Sequence, residues 1–112
     1  MYLLNWDWEN NRIEANLGGV ITMGEAEVLV DEIIEGIIEA DVTGFEVEID
    51  YTLARRVESG VFLQFDRARK YLAISGAQRF VLVAPTQNEA ELLIAQNIQA
   101  VMEGREEYRY AA

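Results

Sequence analysis

The chain has no cysteine and no histidine. Their absence excludes disulfides, thiol chemistry, imidazole acid/base catalysis and any zinc site built on sulfur or imidazole, and no metal or other cofactor is expected. A cysteine-free chain fits a reducing compartment, so a cytoplasmic location is expected. No segment reaches the about 18 unbroken apolar residues of a membrane span. Met1 to Asp7 has no basic stretch ahead of an apolar one, so neither membrane insertion nor a signal peptide is expected. Basic residues are few, 9 against 20 acids, and the resulting net charge of −11 argues against a nucleic-acid partner, whose phosphates normally supply the affinity.

What is present points to one globular domain spanning residues 1–112. The chain is 51% hydrophobic, enough to bury a core without staples. Its charge is unevenly spread. Residues 1–54 carry thirteen acids and one base, whereas residues 55–79 carry six bases (Arg55, Arg56, Arg67, Arg69, Lys70, Arg79) against Glu58 and Asp66. This basic island has two readings: ordinary solvated helix faces, or a patch for an anion or an acidic partner.

The hydrophobic pattern gives the elements. Leu4, Trp6 and Trp8 alternate with polar residues, as do Ile13, Ala15 and Leu17, and Glu9-Asn10-Asn11 between them supplies turn chemistry, so the chain opens with a β-hairpin. Gly18-Gly19 leads to Thr22-Met23-Gly24-Glu25, a capping box that starts a helix with Ala26, Leu29, Val30, Ile33, Ile34, Ile37 and Ile38 on one face. Asp41 to Gly44 should end it. Phe45 to Asp50 reads as a strand with Phe45, Val47 and Ile49 on one side and Glu46, Glu48 and Asp50 on the other. The carboxylate side invites an acid/base reading, but no nucleophile or enclosed pocket stands near it in sequence, so no enzymatic activity is expected.

Tyr51 to Val57 reads as a turn carrying Arg55 and Arg56, and a second helix starts at about Ser59 or Gly60, with Val61, Phe62, Phe65, Ala68, Leu72 and Ala73 inward. Phe80 to Ala84 is continuously apolar, as a buried parallel strand should be. Thr86-Gln87-Asn88-Glu89 is a second capping box, opening a helix with Ala90, Leu93, Ile94, Ile98, Val101 and Met102 inward. Glu106 to Tyr110 is a final strand. The expected fold is therefore α/β with a mixed sheet, order β-β-α-β-α-β-α-β, helices mainly on one face and the later strands parallel.

Three short stretches placed on this order resemble the STAS domain, the fold of bacterial anti-sigma-factor antagonists and of the cytoplasmic tails of sulfate transporters. Gly19-Val20-Ile21-Thr22 stands where the family has Gly-x-Leu-Asp, with threonine serving as the cap in place of aspartate. Asp50, then Tyr51 to Val57, then Glu58-Ser59-Gly60 matches the family's strand, turn and Asp-Ser at a helix start, with glutamate for aspartate and two arginines in a usually hydrophobic turn. Leu82-Val83-Ala84-Pro85-Thr86 is similar to the strand and small-residue turn before the last helix. The resemblance implies a non-catalytic interaction module in a partner switch. In that family an unphosphorylated antagonist binds a kinase-like anti-sigma factor, and phosphorylation of the serine breaks the complex. On this reading Ser59 is the phosphorylation candidate, and Arg55, Arg56, Glu58, Gly60 and Thr22 are partner-binding candidates. Ser59 is also a candidate helix N-cap, and the two roles are compatible. Two alternatives stand beside the switch: a constitutive subunit of a membrane lipid-transport ATPase, docked through the same turn, and a small-ligand domain holding a nucleotide or lipid near the basic island. The acidic strand face and the hairpin aromatics fit either a monomer or a weak homodimer.

Overall fold

Alternating apolar residues and chain-order pairing build one sheet in the computed structural model, which describes residues 1–40 and 43–111. The strands are β1 (Tyr2–Asp7), β2 (Arg12–Ile21), β3 (Glu46–Val57), β4 (Arg79–Ala84) and β5 (Glu106–Tyr110). They lie in the order β1-β2-β3-β4-β5, with β1 and β2 antiparallel and every later pair parallel. The helices are α1 (Met23–Ala40), α2 (Val61–Ile74), α3 (Gln87–Gln96) and α4 (Ile98–Met102). Parallel crossovers are right-handed, and when strand order follows chain order that handedness sets α1, α2 and α3 on the same sheet face. The mixed sheet with helices on one face is thus as the sequence predicts.

Burial follows the alternation. Ile13, Ala15 and Leu17 of β2, Val47, Ile49 and Tyr51 of β3, Phe80, Leu82 and Ala84 of β4 and Tyr108 of β5 form the helix side of the core. Ala26, Leu29, Ile33 and Ile37 of α1 and Val61, Phe65 and Leu72 of α2 close over them. The opposite sheet face carries no helix among the described residues and is laced with ion pairs. Arg12 bridges Glu14 and Glu48, Arg79 bridges Glu46 and Glu107, and Arg109 bridges Glu48 and Glu107. The Glu46 and Glu48 carboxylates that looked open to acid/base chemistry are therefore held by arginines from neighbouring strands.

Several expectations need correction. β2 does not stop at Leu17, and Tyr51 to Val57 is not a turn. Both strands run on together, pairing through Ile21 and Val57 well past Asp50↔Val83, where β4 leaves β3. The result is a two-stranded arm beyond the sheet. From Asn16 to Gly18 β2 advances two residues while β3 advances three, and from Gly19 to Val20 it advances one while β3 advances two. Each slip is a bulge on β3, which twists and bends the arm.

The last predicted helix is two, broken at Asn97, whose side chain donates to the Leu93 carbonyl and whose φ of −128° is not helical. Ile98 and Met102 are consequently exposed, and Ala100 is buried instead. Ile38 and Ala73, at the edges of their predicted apolar faces, also lie at the surface. Of the predicted end of the first helix, Asp41 and Val42 lie outside the described residues.

Candidate functional site

Two helix starts meet at the far end of the β2–β3 arm. β2 runs directly into α1 and β3 into α2, so parallel pairing of the two strands brings the first turns of both helices together. Thr22 caps α1 as expected: its Oγ1 accepts the Glu25 N–H at 3.1 Å. The Glu25 carboxylate does not complete the box; it pairs with the amino group of Met1. A second acceptor for α1 comes from across the arm. Glu58 Oε1 takes the Met23 N–H at 3.1 Å, while the Glu58 backbone N–H donates to the Ile21 carbonyl at 2.9 Å. Glu58 therefore ties the entry to α2 onto the first turn of α1.

The start of α2 is a tight turn. The Val61 N–H donates to the Glu58 carbonyl at 3.2 Å, and Gly60, at φ 95° and ψ −18°, takes the third position that a type II turn reserves for glycine. Gly60 is the N-cap of α2, and no side chain caps that helix. The N-cap reading of Ser59 is thus corrected by one residue: Ser59 lies outside the helix, exposed, and its hydroxyl makes no hydrogen bond among the described residues. A Cβ on Gly60 would come within 2.9 Å of Met23 Sδ, so the two helix starts are in close contact.

Arg55 and Arg56 lie on the bulged part of β3, both exposed. The basic island as a whole dissolves on folding. Arg67 pairs with Asp31, Arg69 with Asp66 and Glu106, and Arg79 with Glu46 and Glu107. Among the described residues Arg55, Arg56 and Lys70 have no acidic partner. Positive charge available to a partner is concentrated on the arm, beside Ser59 in sequence. The structure thus gathers Thr22, Glu58, Ser59 and Gly60 at one end, with Arg55 and Arg56 on the strand leading there.

Away from the arm the structure has two concave places, the first of which sequence reasoning missed. One lies between α2, α3 and the sheet, a cavity of about 560 Å³ whose lining includes Tyr51, Phe62, Phe65 and Tyr108. Burial pushes both tyrosine hydroxyls to pKa values well above the usual range, helped by Glu89 beside Tyr51 and by Glu106 beside Tyr108. Its signal in the sequence was the number of aromatics spread over β3, α2, β4 and β5. The other is a shallow cleft where Trp6 and Trp8 stack at 5.1 Å beside Glu32, Glu35 and Glu39. Trp6 is half-buried against α1 as core cover, whereas Trp8 is exposed.

No family model matches the sequence, and no curated protein matches it. Among solved structures, the anti-sigma-factor antagonist SpoIIAA in its unphosphorylated form aligns over 100% of this chain and 90% of its own, with a TM-score of 0.63 at 18% identity. A protein of the DUF3478 family from Shewanella loihica PV-4, described as having a SpoIIAA-like fold, aligns over 99% of this chain and 84% of its own, with a TM-score of 0.63 at 8% identity. Identity this low speaks for architecture alone: the chain has the STAS-like fold of the anti-sigma-factor antagonist SpoIIAA.

Proposed function

We propose that this chain is a non-catalytic protein-interaction module that docks a partner through the far end of the β2–β3 arm and the start of α2, and that phosphorylation of Ser59 switches the docking. The observation that carries the reading is the position of Ser59. It is exposed, it precedes a helix start, and its hydroxyl holds no other group in place among the described residues. A kinase can modify such a hydroxyl without unfolding the turn. The phosphate adds about −1.5 to −2 charges next to Glu58 at a surface otherwise marked by Arg55 and Arg56, and so inverts what a docked partner meets. The start of α2 has no side-chain cap, which leaves its N-terminus able to face the new anion. The likeness to an anti-sigma-factor antagonist supports a partner of the kinase-like anti-sigma class, and with it a bacterial cytoplasmic setting.

A pull-down from native extract with wild type and Ser59→Asp, read by mass spectrometry, tests the proposal. A kinase-like protein held by wild type and lost by the aspartate variant is the expected result, with phosphate mapped to Ser59. Equal capture by both forms, above all of a transporter ATPase, would reject the switch and leave the arm as a constitutive docking surface.

A further inference from the structure

α2 packs mainly on α1 and α3 mainly on β5, so the space between α2 and α3 stays open above the sheet. Its volume of about 560 Å³ falls within the roughly 300–1,000 Å³ usual for small-molecule sites. The walls are rings. Tyr51, Phe62 and Phe65 meet one another edge-on or tilted, with centroids 5.6 to 6.0 Å apart, and Tyr108 also lines the space.

The polar groups decide what such a space accepts. Arg69 is already paired: its guanidinium reaches Asn97, Asp66 and Glu106. Glu106, 7% exposed, also takes the Tyr108 hydroxyl at 2.6 Å. Glu89 stands exposed at the mouth, where Oε2 accepts the Tyr51 hydroxyl at 3.2 Å and Oε1 accepts nothing among the described residues. The cavity and the layer directly behind it thus hold one arginine against Asp66, Glu89 and Glu106. An incoming anion would meet this negative excess with the arginine already taken. A cation meets an available carboxylate oxygen and aromatic rings in the same lining, whose π systems attract positive charge.

We infer that this cavity binds a small molecule consisting of an aromatic ring with a protonated amine, the ring packed against the cluster of Phe62, Phe65 and Tyr51 and the ammonium on Glu89. The inference is independent of the docking surface on the arm, and it reverses the charge of the nucleotide or anionic lipid that the basic island suggested.

Titration of the ¹⁵N-labelled full chain with 2-phenylethylammonium and, separately, with phenylacetate compares one ring bearing opposite charges. The amine is expected to give saturable amide shifts at Tyr51, Phe65, Leu93 and Tyr108 and to bind about tenfold tighter than the acid. Glu89→Gln, an exposed change that keeps the backbone N–H on Thr86, should bring the two ligands to similar affinity. The inference is overturned if the amine gives no saturable shift at those amides, if phenylacetate binds as tightly, or if the preference survives Glu89→Gln. Shifts confined to Trp6 and Trp8 would also overturn it, because they would put the cation in the other acidic cleft.

Discussion

Three hydroxyls precede helices in this chain, and they differ in what they hold. Thr22 and Thr86 each accept the N–H three residues on, at 3.1 and 3.2 Å, whereas Ser59 accepts none among the described residues. Alanine substitution should separate them. Thr86→Ala should lose about 1 kcal/mol, the usual worth of an N-cap. Ser59→Ala should stay within about 0.5 kcal/mol of wild type, as surface changes do. Gly60 is the residue that holds this turn. At φ 95° an alanine costs about 1–2 kcal/mol, and the Met23 sulfur, 2.9 Å from the new Cβ, must also shift. Urea unfolding with an unchanged m-value checks the order: Gly60→Ala at least as damaging as Thr86→Ala, and Ser59→Ala the mildest. A loss at Ser59 equal to that at Thr86 would mean that its hydroxyl caps α2 after all.

Between elements, the hairpin comes close enough to a helix to require a glycine. A Cβ on Gly36 of α1 would run into the Trp6 ring at Cη2, so β1 is seated where α1 has no side chain. Alanine raises helix propensity by about 1 kcal/mol, but here it must displace a large ring. Gly36→Ala should therefore destabilise by about 1–3 kcal/mol and perturb tryptophan fluorescence as the Trp6–Trp8 stack shifts. A stabilised variant would show that the hairpin yields freely. Gly36 was not singled out in the sequence, since its partner lies in another element. Where pattern and packing agree, elements were legible: α1 buries Ala26, Leu29, Val30, Ile33 and Ile37 at helical spacing, and β5 has the predicted bounds. The arm was misread although Tyr51 to Val57 contains no glycine, proline, asparagine or aspartate to turn the chain. Its continuation depends on β2 running through Gly18-Gly19, a glycine pair that reads as an exit but stays in the strand, opposite the bulges of β3. The break at Asn97 was hidden by apolar periodicity that runs through it. At the candidate site, Ser59-Gly60 was legible to within one residue. The bond between Glu58 and Met23 spans 35 positions and the cavity draws on five elements, so both belong to tertiary structure.

Over the whole molecule, net charge and buried phenols act together at high pH. The chain carries −11 at neutrality, and Tyr51 and Tyr108, 1% and 8% exposed, are held neutral first by burial and then by adjacent glutamates. Their folded pKa values are raised above the about 10 of an unfolded tyrosine. Below about pH 10 both states keep these protons, and the contribution to stability is complete. Above it the unfolded chain releases them while the folded chain does not, so stability falls with a slope of up to about 1.4 kcal/mol per pH unit for each tyrosine. Every phenolate formed also adds to an existing negative excess. Circular dichroism followed together with phenolate absorbance should show that two of the five tyrosines ionise only as the fold is lost. Tyr51→Phe should flatten the alkaline slope by about one proton's worth. Ionisation of all five with an unchanged circular dichroism spectrum would mean that base reaches Tyr51 and Tyr108 without unfolding, through the cavity they line.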